Sequence, residues 1–144
     1  MRSAIDTNII SALFGGEPSV RMLAKSILAG LREEGALVIC GVVYAELLAH
    51  PRVTPKEFSE FLRETDIEAD FGSDQDLWLE IGVRYARYVG RRRRAKAGPQ
   101  RRLLADFMIG AHALLRADRL VTFNDADFRS DFPELDIFPA RRTR

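Results

Sequence analysis

Short apolar runs alternate with helix-length segments along the whole chain, and no two of those runs lie close enough to form a tight hairpin. The runs are "SAI", "ALVIC", "DIEAD", "RLVTF" and "LDIF". Between them, "TNIISALFG" has helical spacing and a glycine stop. "SVRMLAKSILAGLREEG" carries a stripe of Val20, Leu23, Ala24, Ile27, Leu28 and Leu31 and ends at Gly35. "VVYAELLAH" reads as a short helix stopped by Pro51. "TPKEFSEFLRET" reads as a helix with Thr54 as N-cap and Pro55 in its first turn. "SDQDLWLEIGVRYARYVGRRRR" is a long helix with Leu77, Ile81, Tyr85 and Tyr88 facing inward, and "RRLLADFMIGAHALLR" is the most apolar helix. "NDADF" is a turn or a single helical turn, and "DIEAD" is a short edge strand. Strands separated by helices imply βαβ units, hence an α/β fold whose parallel sheet is covered on both faces.

At 144 residues, 47% apolar and 30% charged, the chain is expected to form one domain, 1–144, with a core that needs no disulfide or structural metal. No apolar run approaches the roughly 20 residues of a membrane span. "MRSAIDTN" turns polar too early for a secretory leader, so a cytoplasmic location is expected. The single cysteine, Cys40, reads as a packed strand thiol. Neither G-x-G-x-x-G nor G-x-x-x-x-G-K-[ST] occurs, which removes the dinucleotide and P-loop versions of an α/β fold. Charge is unevenly spread. "RRRRAKAGPQRR", residues 91–102, holds seven basic residues and no acid; the other 15 of the 22 basic residues face 21 acidic ones, a balance of −6. One basic patch on an acidic body suits a polyanion, although a solvated helix end gives the same pattern.

Three acids stand where a core-facing residue is expected. Asp6 falls at the carboxyl end of the first strand, where open α/β sheets bind ligands. Glu46 lies within "VVYAELLAH". Asp106 lies in "LLADFMIGAHAL", on a face continued by Ile109, Gly110 and Ala113, the glycine suggesting a close approach. Singly, Asp6 could cap the next helix, and either of the others could pair with a buried arginine. A buried carboxylate costs several kcal/mol unless it is paired, hydrogen-bonded or metal-bound, and three on separate elements point to a shared site. "TFNDADF" adds Thr122, Asn124, Asp125 and Asp127 near the same edge if the strands are parallel. Oxygen donors suit Mg²⁺ or Mn²⁺. Zinc is disfavoured, because His50 and His112 are isolated and the cysteine is alone.

These stretches, "IDTNIISAL", "VVYAELLAH", "LLADFMIGAHAL" and "RLVTFNDADF" in that order, resemble the PIN-domain ribonucleases, and in particular the VapC toxins of toxin–antitoxin pairs. The resemblance implies a three-layer α/β/α sandwich, usually dimeric. It also implies Mg²⁺-dependent endonucleolytic cleavage of RNA and inhibition by a cognate antitoxin. Carried over, Asp6, Glu46 and Asp106 match the core acids, with Asp6 and Asp106 as metal ligands and Glu46 acting through water or positioning the nucleophile. Thr7 and Asn8 would brace Asp6 by hydroxyl and amide hydrogen bonds, and Thr122 would do so from the opposite strand end.

The sequence departs from the family pattern at the fourth acid. Asn124 stands where many members have Asp, leaving Asp127 for that catalytic role and Asp125 as a further possibility. Arg91, Arg92, Arg93, Arg94, Lys96, Arg101 and Arg102 are expected to contact RNA or the antitoxin. Trp78, Tyr85 and Tyr88 fit a core or dimer interface better than base stacking. Two other readings stand beside the nuclease: a haloacid-dehalogenase-like phosphatase, disfavoured by Asn8 at the position of its second acid, and a non-catalytic RNA- or partner-binding module.

Overall fold

The computed structural model describes residues 1–98 and 102–139, the Pro139 side chain excepted. The strands are β1 (Arg2–Ile5), β2 (Ala36–Cys40), β3 (Ile67–Asp70), β4 (Arg119–Thr122) and β5 (Ile137–Pro139). The helices are α1 (Thr7–Gly15), α2 (Pro18–Glu34), α3 (Gly41–Leu48), α4 (Pro55–Thr65), α5 (Gln75–Arg94), α6 (Leu104–Arg116) and α7 (Asp125–Asp131). Every strand pairing is parallel, in the order β3-β2-β1-β4-β5, within a three-layer α/β/α arrangement. Parallel strands are buried on both faces and so read as unbroken apolar runs; Leu37, Val38, Ile39, Leu120 and Val121 are accordingly inaccessible.

The topology singles out one place. From β1 the chain builds outward through β2 to β3, then crosses back to lay β4 against the other side of β1. The carboxyl end of β1 is therefore the switch point of the sheet, where the flanking connections diverge and leave a crevice. Asp6 is the next residue.

Local chemistry explains the helix limits. Thr54 accepts from the Glu57 N–H at 3.2 Å, and Asp74 from the Leu77 N–H at 2.9 Å, capping α4 and α5. Gly35 ends α2 at φ 155°, where a Cβ would lie 1.8 Å from the Met1 carbonyl oxygen. The close approach at Gly110 is made by Phe132, whose ring would meet a Cβ there at 2.3 Å. In α2, Ala24, Leu28 and Leu31 carry the burial. Cys40 is buried, which pushes its thiol up, as befits a packed strand residue.

One sequence expectation changes. "NDADF" opens a seven-residue helix rather than one turn, because Phe128 and Phe132 are anchored in the core. Along α5, Tyr88 is buried and Tyr85 partly so, but Trp78 is 49% exposed beside exposed Leu79 and Val83. Among the described residues, no helix is long and apolar enough to cross a membrane.

Candidate active site at the strand ends

Asp6 leaves β1 in extended conformation and caps α1, its Oδ1 accepting from the Thr7 N–H at 2.7 Å. Its Oδ2 accepts from the Thr122 hydroxyl at 2.7 Å. The cap and the site are thus the same residue. Thr122, at the carboxyl end of β4 and fully buried, is the hub. Its oxygen also accepts from the Asn8 side-chain amide at 3.3 Å and from the Asn124 N–H at 3.0 Å. Asn8 closes the ring by accepting from the Phe123 N–H at 3.3 Å. The expected bracing differs in detail: the Thr7 hydroxyl goes to Glu46 at 2.8 Å, and the Asn8 amide reaches Asp6 only through Thr122.

The other two acids are less buried than their positions suggest. Glu46 is exposed, because an eight-residue helix turns only Val43 and Leu47 fully inward. Asp106 is half-buried in the first turn of α6, its carboxylate accepting from the Leu103 N–H at 3.1 Å. Of the three, only Asp6 is a core residue, at 7% exposed.

Burial pushes the Asp6 carboxyl up from 3.8 to about 6, against the opposing pull of its bonds from Thr122 and Thr7. Glu46 and Asp106 push in the same direction through their charges, so the three acids from α1's cap, α3 and α6 share one electrostatic neighbourhood. Among the described residues, no three His, Cys, Asp or Glu side chains are grouped tightly enough to hold a metal by themselves. The donors are all oxygen and carry negative charge, and among the described residues no cation is bonded to Asp6. Such a set fits a hard divalent cation that keeps part of its water shell, not an all-protein cage.

The fourth-acid candidates lie on the α7 side. Asn124 is exposed and precedes α7; Asp125 pairs with Arg129 at 3.2 Å; Asp127 is exposed. His112 is a satisfied core residue, its Nε2 at 3.0 Å from Asp70 Oδ2. Burial lowers the proton affinity of His112 in spite of that partner.

The basic run divides. Arg93, Arg94 and Lys96 are exposed. Arg92 donates to the Ala97 carbonyl at 2.8 Å and lies 5.9 Å from the Tyr88 ring centre. Arg91 and Arg102 both pair with Asp131, and the Arg102 side chain is only 11% exposed, so the expectation of RNA or antitoxin contact at Arg102 gives way to an internal pair. Arg101 and residues 140–144 lie outside the described residues. Sequence reading missed Asp131 and Arg84 altogether. Arg84 is buried, donating to the Asp131 carbonyl at 2.9 Å and pairing with Glu134 and, at 2.7 Å, with Glu80.

Residues 4–131 match the PIN domain model, and the chain belongs to that family. Several solved structures share its fold. VapBC-1 from nontypeable Haemophilus influenzae superposes with a TM-score of 0.63 at 23% identity, covering 99% of this chain and 100% of that one. VapBC2 from Rickettsia felis, bound to a DNA fragment from their promoter, gives 0.61 at 19% identity, over 96% and 98%. FitAcB from Neisseria gonorrhoeae gives 0.58 at 17%, over 96% and 97%. No curated protein sequence matches significantly.

Proposed function

We propose that the chain is a divalent-metal-dependent endoribonuclease, acting as a single domain in the cytoplasm as the toxin of a VapBC-type module. One observation supports this most: a buried carboxylate, Asp6, at the switch point of the sheet, its proton affinity raised further by the charges of Glu46 and Asp106, with no cation bonded to it among the described residues. PIN domains generally use a divalent metal. Asp6 and Asp106 are the residues assigned to hold Mg²⁺ or Mn²⁺ here. Bound, the ion would supply charge to a phosphodiester and make its water more acidic.

The chain's own groups have distinct work. Thr122 and the Thr7 N–H hold both Asp6 oxygens, fixing the carboxylate and satisfying lone pairs it would otherwise present to the core. Glu46, exposed and hydrogen-bonded by Thr7, is placed to orient water or take its proton at Oε1 or Oε2. Asp127 is the first choice for the fourth acid. Arg93, Arg94 and Lys96 give the substrate backbone a sequence-independent, salt-sensitive hold. The likeness to VapBC and FitAB complexes supports a cognate antitoxin as partner. The exposed Phe71, Trp78, Leu79 and Val83 give a homodimer an apolar face.

Asn124, uncharged at the fourth-acid position, favours one second reading: a PIN-like module that binds RNA or a partner without cutting. Purified protein incubated with labelled RNA in Mg²⁺, Mn²⁺ or EDTA separates the two. Discrete fragments that need the metal and disappear in Asp106→Asn support the nuclease. Intact RNA in every lane, from folded protein free of antitoxin, supports the binding module. Cleavage of DNA in place of RNA would change the substrate assigned.

A further inference from the structure

Asp131 is an aspartate at the last position of α7, and its side chain is 2% exposed. Both of its oxygens are taken by arginines from outside α7. Arg91, near the end of α5, pairs with Oδ1, and Arg102, just before α6, pairs with Oδ2. Arg102 also donates to the Asp127 carbonyl and lies 5.0 Å and 5.4 Å from the ring centres of Phe107 on α6 and Phe128 on α7. Its own N–H donates to the Tyr88 hydroxyl at 2.9 Å. Arg84 holds the Asp131 carbonyl, so α7 is fastened to α5 at two points and to the start of α6 at a third.

Such a cluster is a poor means of gaining stability. Desolvating the ions roughly cancels their attraction, and apolar side chains of equal volume do as well or better. Here two Arg102 nitrogens, Nε and Nη2, are also buried without a hydrogen-bond partner among the described residues. Directional pairs do fix how neighbouring elements sit. The Arg102 charge is also felt electrostatically by Asp106 and Asp127. A seven-residue helix is about 10 Å long, so tilting α7 at Asp131 displaces Asn124, Asp125 and Asp127 at its other end.

We propose that Asp131, Arg91 and Arg102 form a latch that positions α7, and with it the fourth-acid residues, against Asp106 on α6. This rests on the nuclease reading for its consequence, but not for its geometry. It also divides the basic run by role: largely buried Arg102 and half-exposed Arg91 pair with Asp131 as positioning residues, and the exposed Arg93 and Arg94 face the substrate.

The test pairs cleavage kinetics with hydrogen exchange on Asp131→Asn, Arg102→Gln and Arg102→Lys. In Asp131→Asn and Arg102→Gln, the latch predicts a kcat lower by about 10- to 100-fold with KM within threefold. Arg102→Lys, which keeps the charge, should recover at least a third of the lost logarithm. Amide exchange in Asp131→Asn should quicken across α7 at least tenfold more than across β1 and β4. Unchanged α7 exchange overturns the latch. So does a raised KM at constant kcat, which would return Arg102 to substrate contact. Should Asp131→Asn fail to fold, the kcat-against-KM split of Arg102→Gln and its recovery in Arg102→Lys decide the matter. Wild-type protein that cuts no RNA overturns the nuclease reading instead, and α7 exchange still judges the latch.

Discussion

Asp6 and Asp131 are both buried aspartates at the ends of secondary-structure elements, yet they are stabilised in opposite ways. Asp131 has two guanidinium partners and an arginine on its carbonyl. Asp6 has a threonine hydroxyl and a backbone N–H, and its charged neighbours are two further acids. Charge neutralised from within fastens helices together. Charge buried at a sheet's switch point beside further acids is costly, and the cost shows as a carboxyl pushed up to about 6.

The largest expected effect falls on the Asp6 side. Asp6→Asn and Asp106→Asn should each lower cleavage by about 10³-fold, the scale of losing a main electrostatic element of a site. Single-turnover assays at saturating Mg²⁺ check it.

Stability should move in opposite directions at the two aspartates. Asp131→Asn leaves buried guanidinium charge unpaired and should cost about 3–5 kcal/mol. Asp6 follows the reverse sign. Its folded value lies above its unfolded one, so the stability it gives is full below pH 3.8 and lost as pH rises through about 6. A shift of that size corresponds to about 3 kcal/mol between the two limits. In EDTA, the melting temperature of wild type should therefore fall relative to Asp6→Asn between pH 5 and pH 7.5. Parallel curves would break the comparison.

Thr122→Val removes the hub that joins Asp6, Asn8 and Asn124. It should cost about 1–3 kcal/mol of stability in urea unfolding and weaken Mn²⁺ binding by about 10- to 100-fold. The smallest effect belongs to the exposed arginines. Arg93→Ala with Arg94→Ala should leave stability unchanged within about 0.5 kcal/mol. The salt slope of single-stranded RNA binding should drop by about 1.4, for two lost phosphate contacts.

The strand-end site was legible because its signal is local. "SAIDTN" breaks an apolar strand at a carboxylate, and "VTFN" ends another beside it, so a parallel sheet suffices to bring Asp6 and Thr122 together. The burial of Glu46 was misjudged because a helix as short as α3 has only one fully buried pair, Val43 and Leu47. The arginines were harder. In "RRRRAKAGPQRR" nothing distinguishes Arg102 from Arg93, and the partner that draws Arg102 inward lies 29 residues further on. Asp131, in a polar segment ahead of Phe132, carries no periodic signal of its own. Trp78, for which helical spacing left core and dimer interface both open, lies exposed beside Leu79 and Val83.

The most direct measurement is Mn²⁺ titration followed by melting temperature, comparing wild type with Asp106→Asn at pH 7.5. If Asp6 and Asp106 share a divalent cation, wild type should gain about 2.7 kcal/mol at a hundredfold excess over Kd, and the variant should gain little. Equal stabilisation of both proteins, or of neither, would contradict a metal centre at the strand ends.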